Sequence, residues 1–175
     1  FAVSATATHP NTTNFATASA TVSVQVPLTD IAITSVSAPG SAEIGSTINV
    51  AVTVQNSGNQ NVGSDIEVTL TDTTDSAAIG TQTIAGGLAA GASVTLNYSW
   101  NTTGASSPAA HTLTAVHNVS DEIASNDSGS TTVSVIEPLS VTGLSPNVVR
   151  KGTSVAAAIT GSGFTSGLGV AFVNG

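Results

Sequence analysis

Between Thr47 and Gln55 an apolar residue recurs at every second position. Ile48, Val50, Val52 and Val54 face one way, Asn49, Thr53 and Gln55 the other. A period of two is the mark of a half-buried strand. Ala92 to Trp100 repeats it, with Val94, Leu96, Tyr98 and Trp100 inward and Ser93, Thr95, Asn97 and Ser99 outward. Shorter runs carry the same pattern at Ile31, Ile33 and Val36, at Ile66, Val68 and Leu70, from Ile79 to Ile84, at Leu113 and Ala115, and at Val133 and Val135. Turn formers separate them: Ala38-Pro39-Gly40, Asn56 to Asn61, Asp72 to Ser76, and Gly86-Gly87. About seven short strands with no helical period predict an all-β, immunoglobulin-like β-sandwich. Parallel α/β folds are excluded, because no segment can serve as a crossover helix.

The chain also repeats itself. His111 to Val135, HTLTAVHNVSDEIASNDSGSTTVSV, reads as two strands flanking a polar, acidic loop, and Phe1 to Val24 is a close copy. Even the exits agree: Val24-Gln25-Val26-Pro27-Leu28 parallels Val135-Ile136-Glu137-Pro138-Leu139. The offset of about 110 residues is the size of one sandwich module, as expected in a tandem array. The sequence therefore predicts the closing hairpin of one module (1–27), a complete module (28–137), and the opening half of another (138–175).

Particular residues resemble known families. The Val/Ile strand running into Val54-Gln55-Asn56-Ser57-Gly58, then Leu88-Ala89-Ala90-Gly91-Ala92 leading to Tyr98-Ser99-Trp100, is similar to the CARDB type, a cell-adhesion-related Ig-like domain of bacterial and archaeal surface proteins. The loop Asp121 to Asn126-Asp127 before the last strand resembles that family's ending. Beyond Pro138, Val141-Thr142-Gly143-Leu144-Ser145-Pro146, Gly152, Ile159-Thr160-Gly161-Ser162-Gly163-Phe164 and Val170-Ala171-Phe172 resemble an IPT/TIG domain, also Ig-like, of which only the first half is present. Two half-modules at the ends admit two arrangements: a stretch of a long array, or a filament subunit whose ends complete each other by strand exchange. The first hairpin matches the tail of the complete module better than the missing TIG half, which favours the array.

Composition narrows the function. The net charge is −8, with Arg150 and Lys151 as the two basic residues. Nucleic acid and anionic membrane surfaces are poor partners for such a chain, since no basic footprint meets phosphate. Only 7% of residues are charged while 40% are hydrophobic, so the strands keep soluble faces with hydroxyls and amides. There is no cysteine, which removes disulfides, thiolate metal sites and Cys nucleophiles together. No apolar run is long enough to insert into a membrane.

Candidate chemistry is sparse. Ser, His and Asp are present, but no nucleophile elbow signals a triad. His9, His111 and His117 are the three histidines, and His9 and His117 occupy similar positions in the two hairpin copies, so repetition explains them better than zinc does. Asp65 and Glu67 read as a solvated face. Calcium takes six to eight hard oxygens, and the loop bearing Asp121, Glu122, Asn126 and Asp127 offers the right kind; Asp72 and Asp75 form a sparser pair. Those loop residues are equally ordinary turn formers. Asn11, Asn97, Asn101, Asn118 and Asn126 head Asn-x-Ser/Thr sequons and are candidate glycosylation sites. Tyr98 and Trp100 sit in the inward phase, which assigns them to packing rather than to sugar stacking.

The expectation is a non-enzymatic structural segment of an extracellular prokaryotic surface protein, a stalk, fibre or adhesin. Its partners would be neighbouring Ig-like modules of the same or an identical chain. A self-assembling filament subunit is the alternative, and a carbohydrate-binding accessory module of a secreted hydrolase the third.

Overall fold

The structure, a computed structural model, describes residues 24–164 together with 166, 167 and 169. The first hairpin, with Asn11 and His9, lies outside the described residues. Eight strands build the main module: β1 (Ile31–Ser37), β2 (Ser41–Glu43), β3 (Thr47–Asn56), β4 (Ile66–Asp72), β5 (Ala77–Ile84), β6 (Ser93–Asn101), β7 (Ala109–His117) and β8 (Ser128–Ile136). They form two sheets, β1-β3-β6 and β2-β8-β7-β4-β5. All pairings are antiparallel except β2 with β8, which is parallel.

The period of two decides what lies between the sheets. Val50, Val52 and Val54 from one sheet meet Ile66, Val68, Leu70, Leu113, Ala115, Val133 and Val135 from the other, all fully buried. Tyr98 and Trp100 are buried with them, and the Tyr98 hydroxyl donates to the Val68 carbonyl at 2.7 Å, so the one polar atom of the ring is satisfied across the core. On the outer faces, neutral side chains pair across strands: Asn49 with Asn97, Thr53 with Thr95, and Thr69 with Thr81. Such pairs add modestly to sheet stability.

One strand escapes the sequence pattern. β2 is three residues with a single inward side chain, Ala42, too short to show a period. It is a strand because β8 offers it a ladder, with Ser134 N–H to the Gly40 carbonyl at 3.0 Å and Ile44 N–H to the Ile136 carbonyl at 2.9 Å closing the two ends.

After Pro138 come β9 (Ser140–Ser145) and β10 (Ala158–Ser162), a two-stranded antiparallel sheet. Around it Leu139, Val141, Val148, Val149, Val155 and Phe164 remain exposed. The turn holding Gly163 is folded back against the linker. A Cβ on Gly163 would stand 2.7 Å from the Pro138 carbonyl oxygen and 2.8 Å from that of Glu137.

Candidate functional site: the two ends of strand β7

β7 carries the pattern His111-Thr112-Leu113-Thr114-Ala115-Val116-His117, and alternation puts both histidines on the inward face with Leu113 and Ala115. Each histidine thus closes one end of the core, six residues or roughly 20 Å apart. Each gathers carboxylates around itself.

At the first end, His111 Nδ1 lies 2.7 Å from Asp72 Oδ2 and Nε2 lies 2.7 Å from the Ser106 carbonyl oxygen. Both neighbours are acceptors, so both ring nitrogens donate and the ring is an imidazolium. Burial pulls its pKa down, but the Ser106 carbonyl, then the hydrogen bond and charge of Asp72 and the charge of Asp75, outweigh that and hold it above the ordinary histidine value. The Trp100 ring lies over it, centroids 5.5 Å apart, within cation–π reach. Asp75 completes the cluster by accepting from the Ser106 backbone N–H at 2.8 Å and from its hydroxyl at 2.7 Å. Those two bonds, the backbone one first, hold the Asp75 carboxyl below its usual range.

Ser106, His111 and Asp72 are brought together here, which the spacing of the residues along the chain did not suggest. Their wiring is not that of a nucleophile. The Ser106 hydroxyl is 3.5 Å from Nε2 and gives its proton to Asp75. An imidazolium with both N–H groups engaged cannot act as a general base. The cluster ties the β6–β7 loop to the β4–β5 turn.

At the other end, His117 Nε2 donates to the Ile31 carbonyl at 2.6 Å while Nδ1 accepts from Val119 N–H at 3.2 Å. That is the bonding of a neutral ring with its proton on Nε2, and it leaves no lone pair for a metal. The acidic loop wraps the start of β1. Asp121 Oδ2 accepts from Ile31 N–H at 2.7 Å, and Glu122 Oε2 accepts from Thr29 N–H at 3.0 Å. Asn126 Nδ2 donates to Oδ1 of Asp30, a buried carboxylate the sequence did not single out. Of the four residues expected to offer calcium ligands, Asp121 is therefore engaged by Ile31 of β1 and Glu122 by Thr29 just before it. Asn126 and Asp127 each keep an Oδ1 that is buried without a hydrogen-bond partner. Oxygens of Asp121 and Asp127 and a ring nitrogen of His117 lie within 4.8 Å of one another.

The sequon residues divide. Asn97 on β6, Asn101 at its end and Asn118 after β7 are exposed. Asn126 is half-buried and one of its two amide hydrogens is donated to Asp30, which leaves the other beside that contact for a glycan. Asp65 accepts from Gly86 N–H at 2.7 Å, and is exposed as the strand phase predicts.

A family profile, CARDB, matches residues 28–134. Among solved structures, the crystal structure of the CARDB domain of a Pyrococcus furiosus protein in complex with di-metal ions aligns with a TM-score of 0.56 at 16% identity, covering 66% of this chain and 100% of that one. A solution NMR structure of that domain gives 0.52 at 17% identity, covering 63% and 98%. A Listeria innocua β-glucosidase in complex with isofagomine matches at 0.44 and 18% identity, over 62% of this chain and 16% of the enzyme. No curated protein matches.

Proposed function

Because the chain belongs to the CARDB family, we propose that it is a structural, non-catalytic segment of an extracellular prokaryotic surface protein built from consecutive Ig-like modules. The observation that carries this reading is the placement of the two ends. β1 begins beside His117 and β8 ends beside Ala109, at opposite ends of β7, so the polypeptide joins one pole and departs from the other. Both junctions are built rather than loose. Asn59 grips the incoming segment three times, accepting from Leu28 N–H at 2.9 Å, donating its side-chain amide to the Val26 carbonyl at 2.8 Å and its backbone N–H to the Leu28 carbonyl at 2.9 Å. Gly58 permits this approach, since a Cβ there would collide with the Leu28 carbonyl oxygen. Pro138 stiffens the outgoing side. The segment 1–27 then belongs to a preceding module and 138–175 to an IPT/TIG-like successor.

External protease applied to intact source cells is expected to remove the polypeptide, and its denatured mass after deglycosylation is expected to be several times the 17.0 kDa of this sequence. Recovery only from the cytosol would sink the surface assignment. A mass near that of this sequence would instead support a filament subunit completed by its neighbours.

A second reading concerns the acidic loop, and the unpartnered Oδ1 atoms of Asn126 and Asp127 favour it. Asp127 shares a cluster with Asp121; their carboxylate oxygens lie within 4.8 Å of one another and are of the hard kind calcium takes, and the Pyrococcus furiosus domain was crystallised in complex with di-metal ions. Bound there, a cation would tie the loop to the start of β1. Calcium at a hundred times its dissociation constant would add about 2.7 kcal/mol to stability. The melting temperature is expected to rise on calcium titration and to stop responding in Asp127→Ala. No rise at millimolar calcium would leave the loop a hydrogen-bonded turn.

A further inference from the structure

The two terminal strands run in the same direction. β1 and its continuation β2 lead from the His117 pole toward the Ala109 pole, and β8 runs beside them the same way, paired in parallel with β2. Tension between Val26 and Leu139 therefore pulls β1 and β2 backward along their own axis while pulling β8 forward. Every bond of the β1–β3 and β2–β8 ladders then stands across the load, and the bonds must fail together. The hydrogen bonds of Asp121, Glu122 and His117 to Thr29 and Ile31 lie on the same path. Elsewhere the geometry is different. Thr47 and Asn101 face each other at the last pair of the β3–β6 ladder, capped by Thr102 N–H on the Ser46 carbonyl at 2.9 Å, and pulling them apart would break that cap and then the ladder one pair at a time.

We infer that the module is a directional load-bearing element, resisting tension along the chain by shear of the β1–β3 and β2–β8 ladders and yielding to tension across it. This rests on the stalk reading and specifies how such a stalk would hold. Forced unfolding is governed by the unfolding barrier rather than by equilibrium stability, so the property is separate from thermal stability.

The chain has no cysteine, so introduced pairs define the pulling points. The full chain carrying Val26→Cys and Leu139→Cys is compared, in single-molecule pulling at one loading rate, with the chain carrying Thr47→Cys and Asn101→Cys. The expected result is an unfolding force several-fold higher for the first pair. Equal forces would overturn the inference. A further variant places the load. Gly45, at φ +79°, is the third residue of a turn closed by Ser46 N–H on the Glu43 carbonyl at 3.1 Å. Ile44 is its second residue, where proline is favoured. Ile44→Pro therefore keeps the turn and deletes the N–H that donates to Ile136. It is expected to lower the force for the first pair and leave the second unchanged; an unchanged first force would place the resistance elsewhere and overturn the assignment to β2–β8. A cytosolic source with the anisotropy intact would sink the stalk reading alone.

Discussion

His111→Ala is expected to lower the unfolding free energy by roughly 3–5 kcal/mol, the range for removing one partner of a buried ion pair. The reason lies in what remains. Asp72 is 1% exposed and would be left in the core without its strong partner, while Trp100 would lose the ring packed against it. The Ser106 carbonyl would lose its donor as well. Urea denaturation of the full chain measures the loss, and a change under about 1 kcal/mol would put this contact with ordinary surface pairs. The pH profile supplies a second signature. A histidine held above its usual value of about 6.5 stabilises the fold fully below that pH, and the contribution disappears as pH rises through the folded value. Asp75, held low, acts in the opposite sense: its contribution is complete above about 3.8 and fades as pH falls through its folded value. The melting temperature should therefore be highest between about 4 and 6.5 and decline on the alkaline side. In His111→Ala the alkaline decline should flatten. A wild-type melting temperature that rises from pH 6.5 to 9 would contradict the imidazolium assignment.

Gly87→Ala is expected to cost about 3 kcal/mol or more, whereas the neighbouring Gly86→Ala should cost only about 1–2 kcal/mol, the strain of a left-handed residue bearing a Cβ. Both glycines have nearly the same backbone, φ +71° and +70°. Their surroundings differ. A Cβ on Gly86 meets open space, while one on Gly87 would run into the Val62 carbonyl oxygen and come within 2.6 Å of that of Ser64. The Val62 carbonyl accepts from Leu88 N–H, and Val62 N–H donates back to Leu88, both at 2.9 Å. Moving it aside endangers two hydrogen bonds, worth about 0.5–1.5 kcal/mol each, and unseats Val62 and Leu88 from the core edge. Thermal or urea melts of the two variants side by side separate conformational strain from collision. Equal losses would mean that the Val62 segment simply yields.

What could be read from the chain follows from where each constraint is written. β3 and β6 are legible because nine or ten residues show the inward and outward phases many times over. β2 is not, because its reason for being a strand is the free flank of β8, ninety-odd residues away in sequence. The acidic loop stands out locally by composition, yet its targets, Thr29 to Ile31, do not, and Asp30 looks like any residue of a linker. Asp72 and His111 share a site because β4 pairs with β7 in a register that sets Asp72 opposite Leu113, two residues from His111. That register is a property of the sheet, invisible from spacing. One clue was available: in His111 to His117 both histidines fall in the apolar phase, where an ionisable side chain needs a buried partner.

The neutral pairs on the outer faces bear on how the module meets salt. Asparagine and threonine hold one another there through hydrogen bonds between uncharged groups. Added ions screen charges over about 8–10 Å at ordinary strength and less in brine, and these contacts offer them nothing to screen. Among the described residues the ion pairs are those of His111, whose ring is buried. What concentrated salt can reach is the mutual repulsion of a chain with net charge −8, which it relieves. A module studded with lysine–glutamate pairs would loosen in strong electrolyte; this one has little to lose there.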